Sequence, residues 1–344
     1  MIDTTIPQSE QVDLPGQPNG KLARSLAGYS LLTALMIITP MLVFVPAALL
    51  HCGIRNGRRA AWVVLGGAIA LAAIYVAVVP AADTRAALMA WSYIAGIALA
   101  VAVPTIAALP LVERAEPFGR VVMFLLMGSI AGLVATELGS RAVFSFSPYE
   151  AQVVQAQQTS AQFVEVYRSR GLSSEMVAFA ERWIGFSTFV LPGVILVNMS
   201  LVFILSLLML GRLKLWRELA AARGDQSAGT YLFRNFSLPD WLLFAFVIGG
   251  LTPLVSGMLQ KVAANTLAIV VFLYLLQGLA IFRFVLIAMG AGFAGTMLGW
   301  LLLGFLMITG VGPLLLTAAG LFDSFFDFRH FKKRKDDSHE GHTD

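Results

Sequence analysis

Apolar residues fall into ten runs between Leu26 and Phe326, separated by short polar or basic interruptions. The runs occupy about 26–39, 40–53, 61–80, 86–111, 121–143, 184–210, 241–259, 265–284, 290–308 and 311–326. Several approach the roughly 20 residues that carry a helix across the hydrocarbon layer of a bilayer. The pattern predicts an all-α, polytopic transmembrane helical bundle of about 8–10 membrane segments. The first two runs are separated by Thr39-Pro40, where proline favours a helix break. A hairpin there places Lys21 and Arg24 on the same side of the membrane as Arg55, Arg58 and Arg59, in keeping with the preference of positive charge for the cytoplasm. Gly128, Ala131 and Gly132 in the fifth run, and Gly66 and Gly67 in the third, predict close helix packing.

Polar segments divide the chain further. Residues 1–21 are polar, acidic and rich in Pro and Gly, and predict a disordered tail without a signal peptide. N-terminal membrane helices follow at 22–143. An extracytoplasmic helical insert is expected at 144–183, where Ser147-Pro148 opens a helical pattern, Gly171 interrupts it and Ser173 or Ser174 caps a second helix. The C-terminal membrane helices occupy 184–328, with a cytoplasmic connector at 211–240. Within that connector GRLKLWRELAAARG reads as a surface helix whose basic residues face lipid headgroups. A basic, then acidic, tail closes the chain at 329–344.

Composition supports the bilayer: 13% of the residues are charged, against about a quarter in soluble domains, and the mean hydropathy is +0.79. A net charge of +4 would fit nucleic acid, but the basic residues flank apolar runs, which is an orientation signal, and no nucleic-acid partner is expected. With ten segments and both termini cytoplasmic, 18 of the 24 Lys and Arg residues face the cytoplasm. Four of the remaining six belong to or border the long insert, where charge biases topology least.

Candidate chemistry is sparse. The single cysteine, Cys52, permits no internal disulfide, and of the four histidines only His51 lies in an apolar run. Cys52 adjoins it, but neighbouring side chains on a helix point about 100° apart, which argues against a catalytic dyad. No HExxH, Walker loop or GxGxxG-to-acid pattern is present. Asp83 beside Arg85 is a lone acid in a turn. The chain is therefore not expected to be an enzyme, and no metal, cofactor or catalytic residue is expected.

The strongest polar constellation is Glu137 and Arg141, four apart and so on one helix face. Two readings stand open: a structural ion pair at the outer interface, or a polar patch where a small solute docks. Asn198, Ser256, Tyr274 and Gln277 extend such a site if their spans pack together. Tyr274 and Gln277 lie on neighbouring turns with Gly278 beside them, and Asn265 and Arg283 lie near the ends of that run. For Gln277 an interhelical hydrogen bond, worth roughly 1 kcal/mol, stands beside the ligand-lining role. The candidate substrate-binding set is Glu137, Arg141, Asn198, Tyr274 and Gln277. Asp323 and Asp327, beside Arg329, are read as fixing the last helix end against the basic tail.

FSLPDWLLFAFVIGG, NTLAIVVFLYLLQGLAIFRF and GPLLLTAAGLFDSFFDFR, together with the LPG of the sixth run ahead of Asn198, resemble the YybS-like bacterial integral membrane proteins, a family of unknown function. That family is similar to the S components of energy-coupling-factor vitamin transporters. By this resemblance TPMLVFVPAALLHCGIRNG corresponds to their first outer loop and second helix, and Ala23 and Ala27 match the spacing of their partner-docking motif. The long insert and the extra C-terminal segments depart from the S-component pattern. The resemblance implies a multi-pass protein of the bacterial cytoplasmic (inner) membrane that binds or helps transport a solute and has no energy source of its own. Its partners would be the lipid bilayer, a small-molecule ligand and a membrane protein partner. A non-transporting scaffold or assembly factor that docks through the insert is the alternative, and an intramembrane enzyme is the third.

The topology is open to direct measurement. After Cys52→Ala, single cysteines near Ala156 should react with impermeant reagents from outside the cell, and those near Gly224 or Ser338 only from inside. An outward C-terminus overturns the ten-segment arrangement.

Overall fold

A computed structural model describes residues 19–39, 41–79, 84–171, 173–222 and 229–326. Residues 1–18, Pro40, Asp83, Arg223, Asp327, Arg329 and the C-terminal tail lie outside the described residues, and the last three residues of the expected N-terminal tail, 19–21, belong instead to the first helix. Among those described, every regular element is a helix.

All ten apolar runs form helix, but their lengths separate them into classes. Six helices are long and apolar enough to cross a membrane: Gly20–Ile38, Arg58–Val78, Thr84–Glu113, Phe118–Phe144, Leu191–Arg212 and Gly257–Ala288. Leu42–Asn56 and Leu242–Leu254 are shorter apolar helices. Phe293–Ile308 and Val311–Phe326 meet at 109° and make a seventh crossing if the pair counts as one span. The distinction is geometric: a helix of 16 residues extends about 24 Å, short of the roughly 30 Å hydrocarbon thickness. We label the helices α1 (Asn19–Ile38), α2 (Val45–Asn56), α3 (Arg58–Val78), α4 (Thr84–Ile97), α5 (Val103–Ala107), α6 (Leu109–Glu113), α7 (Phe118–Phe144), α8 (Pro148–Ser169), α9 (Ser174–Phe189), α10 (Leu191–Arg212), α11 (Lys214–Ala222), α12 (Leu242–Gly250), α13 (Gly257–Ala288), α14 (Phe293–Ile308) and α15 (Val311–Phe326).

The chain reverses between α1 and α2. Tyr29 and His51, equally far from position 40 in sequence, share a 2.6 Å hydrogen bond between the tyrosine hydroxyl and Nδ1. A straight helix would hold them about 33 Å apart. Gly67 of α3 lies against Ser30 of α1, whereas Gly66 faces open space.

The span from Thr84 to Glu113 is not uniform. Residues 98–102 form a π-helical turn, in which the Val103 N–H reaches the carbonyl of Ala98, five residues back. Pro104 is the cause at this point: it has no N–H to give to the Ala100 carbonyl, four residues back. The Ser129 hydroxyl of α7 donates to that carbonyl oxygen. Around this bond α7 presents small residues, with Gly132 against the Leu99 carbonyl and Gly128 where a methyl group would come within 2.8 Å of the Pro104 ring. Ala131, on the other face, is exposed. Val101, Val121, Val122, Leu125, Phe203 and Leu207 form the buried core beside this contact.

A second close contact joins α13 to α15. Gly278 lies under the Leu316 carbonyl and Gly320 under the Tyr274 carbonyl, so neither position admits a side chain. The connector is likewise anchored. Tyr231 and Phe236 are buried against Phe118, and the buried Trp216 packs on Tyr231 with the two rings 4.9 Å apart. The surface helix expected there thus buries a tryptophan while Lys214 and Arg217 stay exposed.

Thermal unfolding in detergent checks the α7 contact. Ser129→Ala leaves the Ala100 carbonyl without its cross-helix donor and should cost about 1 kcal/mol. Gly132→Val should cost more, on the order of 2–3 kcal/mol, because its branched side chain meets backbone. Gly66→Ala, at an open position, should cost nothing. Equal melting temperatures for all three would show that the contact does not carry the fold.

Candidate functional site

The end of α7 and the start of α8 build one polar cluster. Ser145 takes the left-handed conformation (φ 51°) and turns the chain, its N–H bonding to the Arg141 carbonyl. Ser147 then caps α8: its Oγ accepts from the Glu150 N–H at 3.0 Å, and Pro148 occupies the first turn, where no N–H is needed. The same Oγ donates to Glu137 Oε1 at 2.5 Å. Glu137 Oε1 also accepts from Arg141 Nε at 2.6 Å, and its Oε2 accepts from the Tyr149 N–H at 3.1 Å. Arg141 reaches Glu150 at 2.8 Å with its other arm. The Glu137 side chain is 23% exposed and that of Arg141 51%, so water screens the pair and it adds little net stability. What the cluster supplies is orientation, because it fixes α8 over the end of α7.

Two further bonds fasten this end of the molecule. Lys261 of α13 donates to the Tyr149 hydroxyl at 3.0 Å and sits 5.4 Å from the centre of its ring. Asn265, one turn on, accepts from the Gly193 N–H at 2.5 Å and donates to the Lys261 and Phe189 carbonyls. Gly193 lies in the first turn of α10, whose N–H groups have no partner within the helix. Asn265 therefore caps α10 from a different helix.

Beneath α8 lies a cavity of about 690 Å³. Its walls come from α4 and the π turn (Ser92, Tyr93, Gly96, Ala100), from α7 (Ile130, Leu133, Val134, Glu137) and from α10 (Ile195, Leu196, Asn198). Pro148, Tyr149, Gln152 and Gln155 of α8 close one side. The lining is mainly apolar. Some of its polar groups are already used: Thr136 donates to the Gly132 carbonyl at 2.8 Å, and Ser92 pairs with Ser140 at 3.3 Å. Among the described residues, the side-chain amides of Asn198, Gln152 and Gln155 have no hydrogen-bond partner. Asn198, exposed to the cavity about a third of the way along a membrane-crossing helix, calls for water or a ligand to bond it.

The structure brings only part of the candidate set together. Glu137 and Asn198 line the cavity, and Arg141 sits one turn beyond Glu137, outside the lining. Tyr274 and Gln277 lie elsewhere, buried where α13 meets α12, α15 and the connector. Gln277 accepts from the Leu238 N–H at 3.0 Å and donates to Asp323 Oδ2 at 3.0 Å, while Tyr274 packs edge-on against Phe246. Ser256 is exposed at the start of α13. Tyr149, Gln152 and Gln155 carried no warning beyond the helical pattern of the insert. The Ser147-x-x-Glu150 spacing is the one local signal, since a capping serine with an acid three residues on marks a helix start.

A bundle of at least six membrane-crossing helices, with a cavity among them under an amphipathic insert, defines a polytopic α-helical membrane protein. The chain belongs to the DUF2232 family of predicted membrane proteins, whose model matches residues 27–324. No curated protein and no solved structure matches it.

The role of the capping serine can be measured by hydrogen exchange. Ser147→Ala removes the cap of α8 and one bond to Glu137, a loss of about 1 kcal/mol for a typical cap. Amides of the first turns of α8 should exchange several-fold faster, while α13 stays unchanged. Unaltered exchange in α8 would mean that Lys261 and the apolar contacts hold the insert without the cap.

Proposed function

We propose that the protein is a solute-binding membrane protein of S-component type, which holds a mainly apolar small molecule with an uncharged hydrogen-bonding head between α4, α7 and α10. The observation that carries this reading is the unpartnered amide of Asn198, set in a cavity of about 690 Å³. That size falls within the roughly 300–1,000 Å³ typical of ligand sites. Asn198, Gln152 and Gln155 offer neutral donors and acceptors to the head, and the apolar walls take the body. Glu137 is already neutralised by Arg141, which argues against a cationic head. The resemblance of the C-terminal third to YybS-like proteins, and through them to S components, supports the same class and a place in the bacterial inner membrane. Without a nucleotide-binding loop, movement of the solute would draw on a membrane partner. No catalytic role is assigned.

One observation favours the scaffold alternative. Met176, Phe179, Trp183 and Phe186 form an exposed apolar stripe on α9 at helical spacing, a surface on which a partner could rest.

Native mass spectrometry of detergent-purified protein separates the two. A small molecule should co-purify with the wild type and be lost from Asn198→Leu, whose melting temperature should not fall, because Asn198 makes no bond within the described protein. Gly96→Leu should also abolish retention: its side chain enters the cavity with nothing nearer than Thr136, 3.9 Å from a methyl there, and leucine favours helix over glycine by about 1 kcal/mol. Retention unchanged in both variants sinks the binding reading.

A further inference from the structure

At the other end of α10, three arginines from three elements surround one small cavity. Arg212 is the last residue of α10, Arg283 lies near the end of α13, and Arg234 belongs to the 3-10 turn Phe233–Asn235 of the connector. Together with Leu208, Tyr231, Phe233 and Ile287 they line a space of about 160 Å³, enough for several waters and so for a tetrahedral phosphate. No carboxylate is in the lining. Among the described residues, none of the three arginines has an acidic partner within ion-pair distance, nor has Arg217 of α11, whereas Lys214 meets Glu218 at 3.2 Å and Arg120 meets Glu116 at 2.6 Å.

The site is held in place by the fold. Tyr231 is fully buried, packed between Trp216 and Phe118, and Gly211 lets its backbone approach α10 closely. The segment bearing Arg234 is thus fixed against the ends of α7 and α10. Arg283 precedes the last residue of α13 by five positions, about 7.5 Å along the axis, which is the depth of headgroups where a helix leaves the bilayer. Leu208 lies one turn deeper than Arg212 on the same face of α10. Three guanidinium forks at that depth, with aliphatic side chains beside them and no internal counter-ion, make a receptor for a phosphate oxyanion.

We infer that Arg212, Arg234 and Arg283 form a binding site for a phosphate group, that of an anionic lipid headgroup or of a soluble phosphorylated molecule. The shared chemistry is charge-assisted hydrogen bonding to non-bridging phosphate oxygens. Arg212 and Arg283, on membrane-crossing helices, meet the ligand from the bilayer side, and Arg234 closes over it from the connector.

Native mass spectrometry of the full-length protein, titrated in detergent with phosphatidylglycerol, tests the site. Arg234→Gln and Arg283→Gln should each weaken phosphatidylglycerol binding about tenfold, the loss expected for one charge-assisted contact. Arg283→Lys, which keeps the charge but not the fork, should fall between. Arg120→Gln, already paired with Glu116, should bind as the wild type does. Melting curves in lipid-free detergent keep a folding defect distinguishable from a lost site. Displacement of the lipid by millimolar inorganic phosphate, with a rise in melting temperature only for the wild type, identifies a soluble phosphorylated ligand; resistance to displacement identifies the lipid. Binding within twofold of wild type in both Gln variants, or an equal loss in Arg120→Gln, overturns the assignment.

Discussion

The carbonyl of Ala100 is the point on which the membrane bundle turns. Pro104 deprives it of the regular helical donor, and a buried carbonyl left unpaired costs about 1–3 kcal/mol unless something bonds it. The Ser129 hydroxyl does so from α7, and it can only because Gly128 and Gly132 let the two backbones come together. That contact sets the distance and rotation of α7 against the π-helical turn of the span Thr84–Glu113. The same rotation turns Ile130, Leu133, Val134 and Glu137 toward the cavity and carries Arg141 to the surface. The local defect introduced by one proline thus decides where the cavity wall stands.

Each end of the molecule uses a different kind of fastening. Near the insert, hydrogen bonds between polar side chains and backbone do the work: Ser147 and Glu137 hold α8, Lys261 meets Tyr149, and Asn265 caps α10. At the connector, aromatic packing dominates, with Trp216, Tyr231, Phe236 and Phe118 interlocked. The physical difference follows from water. The insert end has water for its partly exposed charges, whereas the connector buries rings beside helix ends and leaves its arginines at the surface. Two unlike binding chemistries result: a mainly apolar cavity with neutral amides at one end, and a cationic pocket at the other.

Polar groups inside the bundle divide in a similar way. Gln277 spends its amide on the Leu238 backbone and on Asp323, so it ties α13 to the connector and to α15. Asn265 spends its amide on three backbone groups. Asn198, of the same chemical type and also on a membrane-crossing helix, faces the cavity without a partner among the described residues. Residue type alone does not distinguish these three; what each side chain meets does.

Sequence by itself determined the helical class and the ten apolar segments, because runs of apolar residues must leave water and a helix satisfies its own backbone there. It also located the helix start at Ser147 and the four-residue spacing of Glu137 and Arg141, since both are local. Segment length was legible too, but not what the short segments do: α14 and α15 read as separate spans and meet instead at a 109° bend. Only the tertiary structure decided which polar residues share a site. Polarity alone groups Tyr274 and Gln277 with Glu137, yet the rotation of α13, fixed by Gly278 against Leu316 and by Gly320 against Tyr274, turns them toward α12, α15 and the connector. Rotation about a helix axis depends on which small residues find a neighbouring backbone, and that is a contact between segments far apart in the chain. Tyr149, Gln152 and Gln155 joined the cavity for the same reason: a polar helix carries no mark of the surface over which it will be folded.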